Sequence, residues 1–336
     1  MRTGPIVRGL VRRCLCPGAV IVALACLPMV AWAGASEGKK VAFLLTGPAI
    51  PFPAAMKTAF VEHAKELGQN VTIFEQNFDV ARQAQQMDDA IARKFDIIVV
   101  MPASEQAIVP ALTRAKSAGI PVIILNSPPK DGTEALYTSF IGEDAVEMGR
   151  LAGLSIEQAL KDAGRDGGKV ALITGALQEG VGPRRLVGLK EVLDKDPKIK
   201  IVAVEDAHWN PVEAERIAGQ LFARFAPQGG VDVIYGMNDD LTVAIVRAAD
   251  AAKIPLGLKP GRLIVTGGNC MKAGIEMIKD GREYSTGLQV PTRTGRGAAD
   301  LVEQYFAGKE LRKLDYLPIE TITKANLAKW EAPCNY

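Results

Sequence analysis

The feature that most constrains the fold is an alternation of short apolar runs with longer helical patterns, which occurs twice along the chain. The apolar runs lie at 40–45, 70–75, 96–101, 121–125, 169–174, 199–205, 231–236 and 262–266. The helical patterns lie at 54–67, 79–94, 105–117, 144–163, 183–194, 211–226 and 239–252. Short strands that alternate with helices of roughly 10–15 residues indicate parallel sheets covered on both faces. The sequence therefore predicts an α/β chain with two Rossmann-like, doubly wound lobes.

The first 33 residues have the composition of a secretory signal peptide. Four arginines precede the first acidic residue, Glu37, and an apolar run at 17–30 is followed by Ala31-Trp32-Ala33. A basic start, a short apolar segment and a small-x-small site are typical of such a peptide. The apolar run is shorter than the roughly 20 residues that cross a bilayer. We expect cleavage near Ala33, and an uncleaved N-terminal anchor is the alternative.

Removal of this segment would change both the charge and the cysteine content. The full sequence has 40 basic and 38 acidic residues, and without the four arginines 36 basic residues remain beside the same 38 acidic ones. We therefore expect no nucleic-acid-binding surface. Only Cys270 and Cys334 would remain, in a compartment where disulfides persist. A disulfide between them and two separate buried thiols are both open, because spacing does not fix bond geometry.

The residues directly after the predicted strands are the candidate ligand contacts. In an open parallel sheet, ligands bind beyond the carboxyl ends of the strands, where the strand order reverses. These segments are 46–53, 101–105, 126–127, 175–185, 208–210, 238–240 and 268–270. Amides, hydroxyls, aromatic rings and arginine dominate them. Because amides both donate and accept hydrogen bonds and a tryptophan ring covers C–H groups, these residues predict a polar, mostly neutral ligand.

A series of short motifs, in order along the chain, resembles one known family. The motifs lie at 77–79, 81–92, 96–102, 118–122, 141–144, 149–150, 238–240, 279–281 and 289–291. Each motif is weak alone, but together they span essentially the whole chain after residue 33. In order and spacing the chain is similar to the ribose/galactose-type periplasmic solute-binding proteins, which serve sugar ABC importers.

The resemblance implies a type I periplasmic binding protein fold, in which a multi-strand hinge joins the two lobes. The N-terminal lobe is expected at 38–142 plus 290–318, and the C-terminal lobe at 143–289 plus 319–336. It further implies a periplasmic, monomeric receptor that closes around a small polar solute and then docks on the membrane permease of an ABC importer. No cofactor, metal or nucleic acid is expected.

The resemblance also assigns ligand contacts to particular residues. Two aromatic rings that sandwich the solute in the family match Phe52 and Trp209. Amide contacts match Asn238 and Gln289. For Trp209 the alternative is simple packing in the core, although its polar neighbours favour a position at a strand end.

Three further assignments stay open at this stage. An arginine contact of the family matches either Arg184 or Arg185, and the pair also suits a solvated helix start. Glu143 matches a contact near the hinge, or it caps the helix that follows. Thr46 is either a ligand contact or a turn hydroxyl.

Two strand ends depart from the family pattern. Members that bind aldoses carry Asp-Arg where this chain has Asn126-Ser127, and Phe-Asp where it has Gly268-Asn269. A buried carboxylate accepts strong charge-assisted hydrogen bonds from hydroxyls, whereas an amide has one acceptor and also donates. These departures predict a polyol, a modified or deoxy sugar, or a sugar acid rather than an ordinary pyranose.

Several other functions compete with a transport receptor. A periplasmic sensor for a chemoreceptor or sensor kinase would have the same ligand chemistry. The ligand core of a lac repressor-type regulator would lack the signal peptide and would carry a DNA-binding header. A dinucleotide enzyme would have G-x-G-x-x-G after the first strand, which is absent here. We expect no enzyme, because no nucleophile and base stand together, and no metal site, because His63 and His208 lack ligand spacing.

Overall fold

The computed structural model describes residues 1, 4 and 34–336. The predicted signal peptide at 1–33 therefore lies, apart from residues 1 and 4, outside the described residues and stays a prediction. Within the described part, no helix is both long and apolar enough to cross a membrane.

Two separate sheets organise residues 34–336. Their strands are β1 Lys40–Thr46, β2 Asn70–Gln76, β3 Ile97–Val100, β4 Val122–Leu125, β5 Ser139–Gly142, β6 Gly168–Thr174, β7 Ile199–Asp206, β8 Val233–Gly236, β9 Ile264–Thr266, β10 Ser285–Gly287, β11 Leu314–Tyr316 and β12 Thr321–Thr323. The first sheet has the order β11-β5-β4-β3-β1-β2, and the second has the order β12-β10-β9-β8-β6-β7. All neighbouring strands pair in parallel except β10 and β12.

Helices cover both faces of each sheet. They are α1 Pro51–Glu66, α2 Val80–Ala92, α3 Val109–Ser117, α4 Ala145–Asp162, α5 Val181–Leu193, α6 Pro211–Phe225, α7 Asp239–Ala251, α8 Lys272–Lys279 and α9 Pro291–Phe306. Several begin at a polar cap: the side chains of Asp79, Asp144, Asn210 and Asn238 accept hydrogen bonds from backbone N–H groups of the first turn. These caps satisfy donors that have no partner inside the helix.

The predicted fold class of two doubly wound parallel-sheet lobes is confirmed. The central strands β3, β4 and β8 are buried along their whole length, as strands between two helical layers must be. The chain passes between the sheets after β5, after β10 and after β11, which makes the multi-strand hinge. The strand order reverses between β1 and β3 in one sheet and between β6 and β8 in the other.

The sequence pattern did not assign β5, β10, β11 and β12 as strands, nor α8 and α9 as helices. These strands are three or four residues long. Strands β3, β4, β8 and β9 are equally short, but each lies in a continuous apolar run, whereas the missed strands read SFIG, STG, LDY and TIT. The apolar runs were therefore predictable as strands, and the short segments without such a run were not.

Two glycines let helices α4 and α5 pack backbone against backbone. A Cβ at Gly149 would lie 2.0 Å from the carbonyl oxygen of Arg185, and one at Gly188 would lie 1.8 Å from the carbonyl oxygen of Val146. No side chain fits at such distances, so both positions require glycine. The contact fixes the start of α5, which carries the arginine pair, relative to the helix that enters the second lobe.

Because of this close packing, we expect Gly188→Ala to destabilise the protein. The added methyl group must push α4 and α5 apart, and overpacking of this kind costs about 1–3 kcal/mol of unfolding free energy. Gly219→Ala in α6 is the matched control, because a Cβ there meets no atom within 4 Å. The control should be neutral or stabilising by about 0.5–1 kcal/mol. Denaturant unfolding followed by circular dichroism measures both, and equal midpoints would contradict the close helix contact.

Candidate functional site

A small cavity lies where the carboxyl ends of the two sheets face each other. Its lining residues are Ile50, Phe52, Pro53, Phe78, Met101, Asn126, Glu179, Val181, Arg185, Trp209, Asn238, Asn269 and Gln289. The cavity volume is about 30 Å³, whereas typical ligand sites have roughly 300–1,000 Å³. A solute of sugar size therefore enters only if the lobes separate or the lining side chains move.

The structure brings most of the predicted contacts to this cavity. Those that line it are Phe52, Asn126, Arg185, Trp209, Asn238, Asn269 and Gln289. The remaining predicted contacts, Thr46, Ser127, Glu143 and Arg184, do not line it. Thr46 and Glu143 bond to the lining residues Phe78 and Gln289. Ser127 and Arg184 instead bond to residues of the other lobe.

Two aromatic side chains form opposite parts of the lining. Phe52 lies in the first turn of α1 and is 4% exposed, and Trp209 follows β7 and is 8% exposed. The indole lies flat over Gly175, where a Cβ would be 2.0 Å from the ring. Trp209 also packs with the hydrophobic core of the second lobe, so it has both of the roles that the sequence left open.

The indole N–H of Trp209 is held by Glu179. Nε1 donates to Oε2 of Glu179 at 2.5 Å, and the carboxyl group is buried. This bond fixes the orientation of the ring. Glu179 is not identifiable from sequence as a site residue, because its only signal is its place in the 175–185 segment after β6.

Four lining residues have a left-handed backbone conformation, which is uncommon outside glycine. The φ angles are 55° at Phe78, 53° at Asn126, 58° at Trp209 and 82° at Asn269. Asparagine tolerates this conformation better than most residues, and an aromatic residue does so less readily. Such conformations persist only where the surroundings hold them in place, and they concentrate at binding sites.

Gln289 lies at the centre of a buried hydrogen-bond network. Its Nε2 donates to Oδ1 of Asn126 at 2.9 Å and to Oε2 of Glu143 at 2.8 Å. Its Oε1 accepts from the guanidinium of Arg185 at 2.6 Å. One amide therefore connects the end of β4, the hinge after β5 and the start of α5.

The two arginines have different positions, which the sequence did not separate. Arg185 is 2% exposed and donates to the carbonyl oxygen of Met237 at 2.9 Å and to Oδ1 of Asn269 at 3.1 Å. Arg184 points to the other lobe, where it pairs with Glu105 at 3.1 Å and with Asp131 at 2.5 Å. Arg185 therefore belongs to the cavity, and Arg184 joins the two lobes at the mouth of the cleft.

Thr46, Ser127 and Glu143 support the cavity from outside its lining. The hydroxyl of Thr46 accepts from the backbone N–H of Phe78 at 3.2 Å. The hydroxyl of Ser127 accepts from the backbone N–H of Gly180 in the other lobe at 3.1 Å. Glu143 bonds to Gln289, and its neighbour Asp144 caps α4 instead.

Asn238 combines two roles. Its Oδ1 accepts from the backbone N–H of Leu241 and caps α7, while the residue also lines the cavity. The neighbouring Asp239 is fully buried and accepts from the backbone N–H of Met271 and from the hydroxyl of Thr286. Asp239 therefore has a structural role, because it joins the start of α7 to the residue before α8 and to β10.

Burial changes the acidity of two carboxyl groups at the site. Desolvation raises the pKa of Glu179 to about 8, although the hydrogen bond from Trp209 opposes the change. Desolvation likewise raises the pKa of Glu143 to about 7, against the hydrogen bond from Gln289 and the charge of Arg185.

Two buried polar atoms of the lining residues have no hydrogen-bond partner in the described part of the chain. They are Oε1 of Glu179, which donates when the carboxyl is protonated and accepts when it is ionised, and Nε of Arg185, a donor. Unpartnered buried polar atoms are costly and uncommon in folded proteins. Their presence together at one cavity indicates a place where a polar ligand completes the hydrogen bonding.

The two cysteines left open by the sequence are joined by a disulfide. Their Cα atoms are 5.2 Å apart, and the bond closes a loop between residues 64 positions apart in sequence. Cys270 follows the lining residue Asn269 directly. Among the described residues, no group of three or more His, Cys, Asp or Glu side chains could hold a metal ion.

Two doubly wound lobes with a polar cavity between their strand ends define a two-lobed binding protein. A family model described as a periplasmic binding protein domain matches residues 41–310, and the chain belongs to this family.

Known relatives agree with this assignment. The chain is 26% identical over 286 residues to a putative rhizopine-binding protein of Rhizobium meliloti, covering 83% of this chain and 88% of the relative. It is 24% identical to the ribose import binding protein RbsB of Haemophilus influenzae, covering 78% and 83%. Its fold is similar to that of an ABC transporter solute binding protein from Bacillus halodurans with bound myo-inositol, with a TM-score of 0.79 at 22% identity, covering 89% and 99%.

The raised pKa of Glu179 predicts how stability depends on pH. An unfolded glutamate releases its proton near pH 4.3, whereas folded Glu179 keeps it up to about pH 8. The unfolded state then binds fewer protons in this interval, so the contribution of Glu179 to unfolding free energy falls as pH rises from about 4.3 to 8 and is constant above.

Glu179→Gln tests the direction of this pH dependence, because glutamine does not titrate and keeps an acceptor for Trp209. Thermal unfolding between pH 5 and pH 9 should show the variant gaining stability relative to the parent protein up to about pH 8. A difference in unfolding temperature that stays constant over this range would rule out a protonated Glu179 in the folded protein.

Proposed function

We propose that this protein is the exported solute-binding receptor of an ABC importer and that it closes two lobes around a neutral, polyhydroxylated solute. The observation that carries the proposal is the pair of unpartnered atoms at the cavity, Oε1 of Glu179 and Nε of Arg185. A hydroxyl group both donates and accepts hydrogen bonds. A solute with several hydroxyls therefore pairs with both atoms at once, in either protonation state of Glu179.

The charges around the cavity favour a polyol or a modified sugar over a sugar acid. Arg185 already donates to Met237, Asn269 and Gln289. Two buried carboxyl groups, those of Glu179 and Glu143, lie in the same network or lining. A bound carboxylate would lose its hydration beside a single cation whose donors are mostly engaged, whereas uncharged hydroxyls carry no charge to desolvate.

The aromatic lining supports the same ligand class. Phe52 and Trp209 come from different lobes and present apolar surface to the cavity. A ring or chain with C–H groups on one side and hydroxyls at its edge suits this combination of apolar and polar lining. The ligands named for similar proteins, ribose and myo-inositol, belong to this class.

Contacts between the lobes support a closing mechanism. Arg184 reaches Glu105 and Asp131, and Ser127 accepts from Gly180. We assign the lobes to 38–142 plus 290–318 and to 143–289 plus 319–336, so each of these contacts joins one lobe to the other. Opening at the hinge would break them and admit a solute.

The remaining parts of the proposal follow from the family. We propose that residues 1–33 direct export, that the chain acts in the periplasm as a monomer, and that the closed form docks on a membrane permease. We also propose that the protein binds its solute without catalysis, as its family of binding proteins suggests. The import name of a curated relative supports transport over the alternative role as a sensor.

Isothermal titration with a solute panel tests this function. The panel contains D-ribose, xylitol, myo-inositol and glycerol as neutral solutes, and D-galacturonate as a sugar acid. We expect saturable binding of one neutral solute per chain, with D-galacturonate weaker. Absence of saturable binding to every neutral member, or a preference for D-galacturonate, would contradict the proposal.

The two arginines should differ in a measurable way. Arg185→Met removes a buried donor and leaves the side-chain oxygens of Asn269 and Gln289 without one, so the affinity for the tightest panel member should fall by about 100-fold or more. Arg184→Met removes partly exposed ion pairs between the lobes, so the affinity should fall by only about three- to tenfold, mainly through faster dissociation. Equal losses, measured by stopped-flow and titration, would contradict the separate roles.

A further inference from the structure

The segment after β12 is attached to the second lobe by a disulfide and by apolar packing. Cys334 is bonded to Cys270, and both sulfurs are buried. Trp330 packs in the same apolar cluster, with Ile322 of β12 and Val290 at the hinge. We call residues 327–336 the stapled tail.

Tyr336, two residues after the disulfide, reaches three parts of the binding site. Its single hydroxyl hydrogen is shared between the carbonyl oxygen of Asn269, the nearer acceptor, and that of Gln289 at 3.2 Å. Its ring meets the ring of Phe52 edge to face, with centroids 6.3 Å apart and planes at 70°. Asn269, Gln289 and Phe52 all line the cavity.

The turn that carries Asn269 needs external support. Asn269 and Cys270 have φ angles of 82° and 50°, and two successive non-glycine residues in the left-handed region are unfavourable. The Oδ1 of Asn269 accepts from Arg185, so this turn also sets where the guanidinium lies. The stapled tail supplies two of the tethers that hold the turn: the disulfide at Cys270 and the hydroxyl of Tyr336 at the carbonyl of Asn269.

We propose that Tyr336 is a positioning residue of the binding site, placed by the Cys270–Cys334 disulfide, and that solute affinity depends on this tail. The proposal rests on the proposed function for its ligand class. The hydroxyl of Tyr336 fixes the carbonyl groups of Asn269 and Gln289, which orients their side chains toward the solute and Arg185. The ring of Tyr336 packs edge to face against the ring of Phe52.

The contact with Phe52 also joins the tail to the other lobe. Phe52 belongs to α1, which packs on the first sheet, whereas the tail is bonded to the second lobe. The edge-to-face pair therefore forms only when the lobes are close together. Loss of the ring should weaken the closed form and speed solute release, while loss of the hydroxyl alone should loosen the turn at Asn269.

Hydrogen–deuterium exchange tests the positioning without any ligand. The backbone N–H groups of Cys270 and Met271 donate to Thr286 and Asp239, so their exchange reports on the turn. Tyr336→Phe should raise their exchange rates about tenfold, as loss of roughly one hydrogen bond allows, and leave β1 and β3 unchanged. Unchanged exchange at both amides would overturn the proposal.

Binding of the panel solutes tests the consequence. With myo-inositol and D-ribose as probes, Tyr336→Phe should weaken binding of the tighter probe about tenfold. Tyr336→Ala should weaken it further through faster dissociation. The double variant Cys270→Ser, Cys334→Ser should resemble Tyr336→Phe, and adding Tyr336→Phe to it should have little additional effect, because both act through one tether.

Tyr316→Phe is the matched control, since this side chain is 47% exposed and lies outside the cavity. Its affinity should equal that of the parent protein. Lower melting temperatures in the Tyr336 variants without weaker binding would show a merely structural role and overturn the proposal. If neither probe nor any other panel member binds the parent protein, the proposed function fails, and the exchange rates alone decide the role of the tail.

Discussion

The buried side-chain amide of Gln289 is the interaction on which the rest of the site depends. It donates to Asn126 and Glu143 and accepts from Arg185, so every hydrogen-bonding group of the amide is engaged except the second lone pair of its oxygen. These partners come from the end of a strand in one lobe, from the hinge and from a helix of the other lobe. Because an unpaired buried polar group is costly, the network keeps these three elements together.

Around this network, amide side chains that follow the ends of strands line the cavity. Asn126 and Asn269 follow β4 and β9, and both have left-handed backbones that asparagine tolerates. Asparagine at both positions therefore suits the backbone conformation and also offers the cavity both a donor and an acceptor. Burial then makes Glu179 and Glu143 weaker acids, which lowers the negative charge that a neutral solute meets.

Much of this architecture could be predicted from sequence, and the exceptions have physical reasons. The eight apolar runs located eight of the strands, and the rule on strand ends located Asn126, Trp209, Asn238 and Asn269. The choice between Arg184 and Arg185 required the helical phase of α5, in which adjacent residues point about 100° apart. Glu179 and Tyr336 could not be found, because their roles arise from contacts with Trp209 and Phe52 that no local pattern records.

The central claim is that a single polyhydroxylated solute completes the hydrogen bonding of Glu179 and Arg185 between the rings of Phe52 and Trp209. A crystal structure of the protein with the tightest-binding panel solute tests it most directly. Solute hydroxyls should lie within hydrogen-bond distance of Oε1 of Glu179 and of the Arg185 guanidinium, with both lobes in contact with the solute. A solute bound to one lobe only, or one that leaves both side chains unpartnered, would contradict this binding mode.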